Sequence, residues 1–539
     1  MIPNAPRHRS RLVSLDQLRL VGRYASALPS FLRHTLTPDA CRSLVAQTLA
    51  GREEAFRRTL RDGVFAHPDS PYLGLMRHAG VTRDDVDTLM RSEGIEGTLT
   101  RLHEAGVYVT LDEFKGRSSI RRGSYVHEVS ADDFDNPLQA VHFTGVTGGS
   151  RGSRRRLLID LGMLTHDAAC YDAFTDAWDI GHRPMAIWRP VPPDNSGIKK
   201  VLVRLKVGSA VERWFSQNAV SWRGGQARFA AFTHFTAAAA RALGRSFPTP
   251  EHVELDHADT VARWVADHVR AGAPPHVDTL VSSAVRVAVA AREQGLPIAG
   301  TTFRVGGEPL TPAKQRVASE VGARLIAHYS LSETGTIAMG CARGAAVDDV
   351  HVLESKVAVT IRPRTTPAFV DPVNAIYLTT LLPSTPKLLL NVETGDFGTL
   401  VGRECGCTLS RCGFHRHLHT IRSWEKLTSE GITFLGSTLV ALMEDVLPGR
   451  FGGSPLDYQL VEEEDATRTR VSIIVSPRIG AVDESGVVGF VLDQLALQDA
   501  GHRLMADVWR QGGTLRVVRR EPFRTGAGKV LPLHHMERR

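Results

Sequence analysis

The sequence predicts a layered α/β protein with a smaller α+β unit at its C-terminal end. Three observations carry this. The chain has 539 residues, more than one ordinary domain holds. Its middle, about 140–400, alternates helical and strand patterns. Its last part, 425–539, sets a helical pattern between two apolar β-branched runs.

The alternation is clearest over 276–331. Leu280, Ala284, Val287 and Ala291 recur at helical spacing and predict a buried helix face. TTFRV then reads as a strand running into Gly306 and Gly307. Thr311 and Pro312 form an N-cap and first-turn pair, and Gly322 a helix stop. RLIAHYS follows as a second strand. In the C-terminal part, VSIIV (471–475) and TLRVV (514–518) are the strand runs, with the helical pattern over 487–510. Residues 1–110 read as mainly helical, with Ser14, Thr37 and Thr82 placed to cap helices. GRSSIRRGS, 116–124, reads as a turn-rich connection.

Composition narrows the function classes. Hydrophobic residues make up 42% and charged residues 23%, as in a globular protein with a large core. The net charge of +7 is small against 65 basic and 58 acidic residues. It suits anionic ligands such as nucleotides and is weak evidence for nucleic acid, for which no RRM, KH or zinc-finger pattern is present. The basic N-terminus lacks the apolar region of a signal peptide, and no apolar run approaches the ~18 residues of a membrane span. Six cysteines in so long a chain do not make a disulfide framework, and a cytoplasmic location is expected.

Four short segments carry chemistry. In HFTGVTGGSRGSRRR, 142–156, glycines let backbone N–H groups approach an anion, hydroxyls add donors and arginines add charge. This is not a Walker A loop, and neither is the segment ending in Gly528-Lys529, where Phe523 and Val530 break the pattern. GGEPLT (306–311) precedes HYSLSETG (328–335), where Tyr329 offers a flat face for a base and Glu333 a carboxylate for Mg²⁺. In NVETGDFG (391–398), Asp396 suits a pair of adjacent hydroxyls, as a ribose presents. In FRTGAGKV (523–530), Lys529 rides a glycine-rich loop from which it reaches a phosphate as a mobile point charge. Taken singly, each segment also fits an ordinary turn, a capping Glu or a surface Lys.

In this order, over about 140–539, the segments resemble the adenylate-forming superfamily of acyl-CoA synthetases, luciferases and peptide-synthetase adenylation domains. Its phosphate loop stands here as Thr144, Gly145, Val146, Thr147, Gly148, Gly149, Ser150, Arg151 and Gly152, departing at Val146, Ser150 and Arg151. The Gly-Gly-Glu-Pro is intact through Gly307, Glu308 and Pro309, and the adenine motif resembles Tyr329, Ser330, Leu331, Ser332 and Glu333. The resemblance implies that Tyr329 stacks on adenine, Glu333 holds Mg²⁺ and Asp396 binds the ribose. It implies that Arg422 also contacts the ribose, just before a hinge near Trp424 and Glu425.

Within the superfamily the likeness is nearest to phenylacetate–CoA ligases. That subgroup implies a structural Zn²⁺ on Cys341, His351, Cys405 and Cys407, with Cys412 and His415 as rival ligands. Residues 1–110, outside the resemblance, read as a mainly helical extension packed on or part of the large domain; the resemblance implies an ATP- and acid-binding core over 111–423 and a mobile unit over 425–539. The implied activity is ATP-dependent activation of a carboxylic acid, by the subgroup's habit an aromatic one, to an acyl-adenylate. Acyl transfer follows, by default to CoA, with an amine or a carrier-protein thiol as alternatives. A non-catalytic binding protein of the same fold is the reading from another class.

Overall fold

The computed structural model describes residues 15–146, 156–223, 226–365, 372–423, 436–464, 469–497, 506, 509–510, 513–525 and 528–536. Its centre is a twelve-stranded sheet. Six neighbouring strands run parallel, in the order Pro250–His252, Arg213–Ser216, Met185–Trp188, His276–Leu280, Thr302–Gly306 and Arg324–Leu331. The remaining six are antiparallel and continue through Gly335–Gly340, Val350–Val352, Arg416–Ser423, Val392–Gly402, Val373–Thr380 and Val357–Arg364. The two regimes meet at Arg324–Leu331, whose C-terminal end enters the turn that carries Glu333.

Helices cover both faces, as buried parallel strands require. On one face Val281–Glu293 presents Ala284, Val287, Ala288 and Ala291 to a core shared with Val277, Phe303 and Val305. On the other, Leu161–Ala177 and Ser196–Lys206 pack over Ile187, Ile326 and Met339. The predicted caps are built: Thr37 and Thr82 accept from backbone N–H groups of their first turns, and Thr311 does so for Pro312–Glu320. Gly322 follows the end of that helix at φ +72°, a conformation that suits glycine. Ser14 lies outside the described residues. The segment read as a turn-rich connection contains a short hairpin, Ile120–Arg122 against Tyr125–His127.

Residues before 110 share the main core rather than standing apart. Phe56, Val64, Met76 and Leu99 belong to the same buried cluster as the sheet strands. Asn391 donates to the carbonyls of Leu99 and Val107 at 2.8 and 3.2 Å, which ties this region to the antiparallel half.

The C-terminal part has its own four-stranded sheet, ordered Leu515–Arg519, Thr469–Val475, Tyr458–Glu464 and Leu533–Met536. Its core is separate and built on Leu442, Tyr458, Ile473, Val491 and Leu515. Ion pairs join it to the large sheet's helices: Arg316 with Asp445 at 2.6 Å, Arg478 with Glu293 at 3.0 Å and Arg524 with Asp256. A fourth pair, Lys314 with Glu444 at 2.7 Å, is almost fully buried. Among the described residues, no helix is long and apolar enough to cross a membrane.

Candidate active site

A cavity of about 610 Å³ opens at the C-terminal ends of the parallel strands, the usual ligand position in such sheets. The elements that reach it come from far apart in sequence. Glu333 arrives on the turn after Arg324–Leu331, Asp396 on Val392–Gly402, and Lys529 from the C-terminal unit.

The double glycine has a steric reason. A β-carbon on Gly306 would stand 2.6 Å from the His328 ring. One on Gly307, whose φ is +81°, would stand 3.3 Å from the Lys529 ammonium. Only glycine lets both neighbours approach so closely. Lys529 is held by its own loop: its backbone N–H donates to Thr525 Oγ1 and its carbonyl accepts from the Thr525 N–H, at 3.2 and 2.9 Å. Gly528 sits at φ +80° within the same turn.

Ser330, Ser332 and Glu333 line the cavity, and the Glu333 carboxylate has no hydrogen-bond partner among the described residues. That leaves it open to a cation. Gly307 lines the cavity, whereas Glu308 turns inward and accepts from Ser282 Oγ at 2.7 Å. The Pro309 carbonyl accepts from Lys314.

Two residues expected to contact the nucleotide are engaged by acidic side chains of the protein. The Tyr329 ring is only 8% exposed and belongs to the core cluster, while its hydroxyl donates to Asp396 Oδ2 at 2.8 Å. Arg422 does not line the cavity; it donates to Asp348 Oδ2 at 2.9 Å. Its strand neighbour Ser423 pairs with Asp396 across the sheet and does line the cavity. The period of two along a strand puts adjacent residues on opposite faces, so one position decides which side chain faces the ligand.

Of the phosphate loop, Thr144 and Gly145 lie on the Phe143–Val146 strand. A β-carbon on Gly145 would collide with Asn195, which lines the cavity with both side-chain polar atoms buried and unpartnered. Thr147, Gly148, Gly149, Ser150 and Arg151 lie outside the described residues, as do Trp424 and Glu425.

Sequence reasoning missed the most highly charged part of the cavity. Asp278, fully buried, accepts from Arg189 at 2.9 Å and Arg304 at 2.6 Å, with Lys200 at 3.6 Å. Burial alone would raise the Asp278 carboxyl, but Lys200, Arg189 and Arg304 together hold it well below the usual range. Burial, and then the Arg304 charge, push the Lys200 ammonium down to about 7. His328 is held neutral by burial and by the same cations. A visible signal existed: MAIWRPVPPDNSGIKK sets an apolar strand before a proline-rich turn and a helix start with adjacent lysines.

A second cluster lies in the antiparallel half. Cys341 Sγ is 3.5 Å from Cys405 Sγ, and His351 Nε2 is 3.4 Å from Cys405 Sγ and 3.1 Å from Cys407 Sγ. His351 donates its other nitrogen, Nδ1, to the Phe414 carbonyl at 2.8 Å, which aims Nε2 at the sulfurs. Separations near 3.5 Å between such donors are those of ligands around one tetrahedral zinc. His417 completes a group of possible ligands with Cys341, His351 and Cys405: Asp349 engages its Nδ1 at 2.7 Å, and its buried Nε2 has no hydrogen-bond partner among the described residues. The rivals fare worse. Cys412 packs against the neighbouring core, and His415 is exposed.

The fold is that of adenylate-forming enzymes: a large α/β part on a twelve-stranded sheet and a smaller C-terminal α/β part. Among solved structures, a 2-hydroxyisobutyryl-CoA ligase in its postadenylation state with R3-HIB-AMP aligns over 92% of this chain and 89% of its own, at 12% identity and a TM-score of 0.53. The same ligase with 2-HIB-AMP aligns over the same shares at 14% identity and a TM-score of 0.51. No family model and no curated protein matches the chain by sequence.

Proposed function

We propose that the protein activates a carboxylic acid with ATP and passes the acyl group to a second nucleophile. One observation carries the reading: Lys529, from a separately folded unit, meets Gly307 in a cavity that also holds Glu333 and Asp396. A carboxylate oxygen attacks the α-phosphorus, the bond from that phosphorus to the bridging oxygen breaks, and pyrophosphate leaves. Charge builds on the phosphoryl oxygens, so the protein's work is positioning and electrostatic stabilisation. Lys529 supplies a cation where the reacting carboxylate and α-phosphate meet. Asp396, oriented by Tyr329, accepts from the ribose hydroxyls. Mg²⁺ on Glu333 would offset phosphate charge. Thr144, Gly145 and the loop that follows would hold the outer phosphates.

The acceptor in this reading is CoA by default, and an amine or carrier-protein thiol would use the same adenylate. The ligands Cys341, His351, Cys405 and Cys407 would hold a zinc that closes the antiparallel half, with four protein donors and hence no open catalytic position. ATP–pyrophosphate exchange tests the reading. Lys529→Ala should abolish exchange in a chain that keeps its circular dichroism and melting midpoint, and undiminished exchange would overturn it.

A further inference from the structure

The cluster around Asp278 carries more positive charge than folding alone explains. Arg189, Lys200 and Arg304 face a single carboxylate. The other nearby acids are already engaged: Asp167 pairs with Lys356, and Asp194, beside Lys199, accepts from the Ser196 N–H. With Lys200 protonated, two surplus cations sit among residues that are mostly withdrawn from water, where an uncompensated charge costs several kcal/mol. Arg304 is 1% exposed, and its Nε has no partner. The cluster nevertheless opens to the cavity, since Arg189, Lys200, Asp278, Arg304 and His328 all line it.

Its position relative to the reacting end is fixed by the strands. Asp278 and Leu280, Arg304 and Gly306, His328 and Ser330 lie two apart on their strands and so share one face of the sheet. Arg304 stands two residues, or about 7 Å, behind Gly306 in the double glycine that Lys529 approaches, and Arg189 and Lys200 join it at Asp278. One carboxylate of a ligand at Gly307 would be met by Lys529, leaving the deeper cations for another negative group.

Resting on the adenylation reading, we infer that the acid activated here bears a second anionic group, and that Arg189, Lys200 and Arg304 bind it. A short dicarboxylic acid has this chemistry. An aromatic acid fits only if its ring carries a second carboxylate.

The test uses matched pairs on the full-length chain: valerate against glutarate, and benzoate against terephthalate. Binding is measured by calorimetry with a non-hydrolysable ATP analogue, and turnover by pyrophosphate exchange. At least one dicarboxylate should bind ten or more times more tightly than its monocarboxylate and exchange faster. Lys200→Met should bring that ratio close to one, and Lys200→Arg should preserve it. Equal or tighter binding of the monocarboxylates overturns the inference, as does a Lys200→Met variant that loses ATP affinity in place of dicarboxylate affinity. Dicarboxylate preference in binding, without exchange for any acid, would sustain the charge assignment and overturn the adenylation reading.

Discussion

Lys529 reaches the large sheet at Gly307, with its ammonium 3.3 Å from where a β-carbon on that glycine would be. A side chain there would displace the lysine and strain a backbone at φ +81°. Gly307→Ala should cost about 1–2 kcal/mol of stability for the left-handed conformation. Exchange should fall several-fold, short of the hundredfold that a full ångström of misplacement costs, because a contact at 3.3 Å asks the lysine to give by only a few tenths of an ångström. Transfer from added acyl-adenylate should fall far less. Equal losses in both half-reactions would show that Gly307 serves the fold alone.

Tyr329 should act through Asp396. Tyr329→Phe keeps the buried ring and deletes the 2.8 Å hydrogen bond. Removing such a bond costs about 1 kcal/mol, so KM for ATP should rise roughly fivefold with kcat little changed. A substituted ATP lacking the ribose hydroxyls should be insensitive to the change. If both nucleotides lose equally, Asp396 does not read the ribose.

Metal analysis of the purified chain should find zinc in equimolar amount. Cys407→Ser, or prolonged chelation, should lower the melting midpoint by roughly 2–3 °C, as a loss of about 2–3 kcal/mol would in a chain of this length. Cys412→Ser should leave the zinc content unchanged. Full zinc content in Cys407→Ser would hand that ligand position to His417.

Selection for a second anion should depend on pH through Lys200. Its ammonium titrates at about 7, facing Asp278, Arg189 and Arg304. His328 stays neutral. An anion binds the protonated form, so affinity is full below pH 7 and falls above it, approaching roughly tenfold per pH unit. KM for a dicarboxylate should climb above pH 7 while that of its monocarboxylate partner stays level. Parallel profiles would exclude Lys200 as the titrating group.

How much of this the sequence discloses depends on whether a feature is local. Thr311 before Pro312 caps a helix because the cap lies within four residues. Gly306-Gly307 and Gly528-Lys529 likewise stand out by composition, but their meeting is seen only in the fold. The Asp278 cluster is different. Its residues lie on two strands, a helix and the position just after a third strand, between 189 and 304, and each reads alone as an ordinary charged residue. Only the parallel register brings them together. The Arg422 expectation shows the opposite limit: the motif was in the right place, and a period of two turned the neighbour, Ser423, to the cavity. Cys407 and His417 compete for one position because both approach His351 from different elements, which spacing cannot rank.

The C-terminal unit carries its own core and meets the large sheet's helices through Arg316–Asp445, Arg478–Glu293 and Arg524–Asp256, all partly open to solvent. Such pairs are worth about 0–1 kcal/mol each and weaken as salt screens them. The exception, Lys314 with Glu444, is dry, and separating the two would expose both charges to water, which repays most of what their attraction supplied. Leu456 and Val530 of the unit are buried in the same core as the large sheet's strands, so added salt should loosen the charged rim of this seam and leave its apolar centre closed.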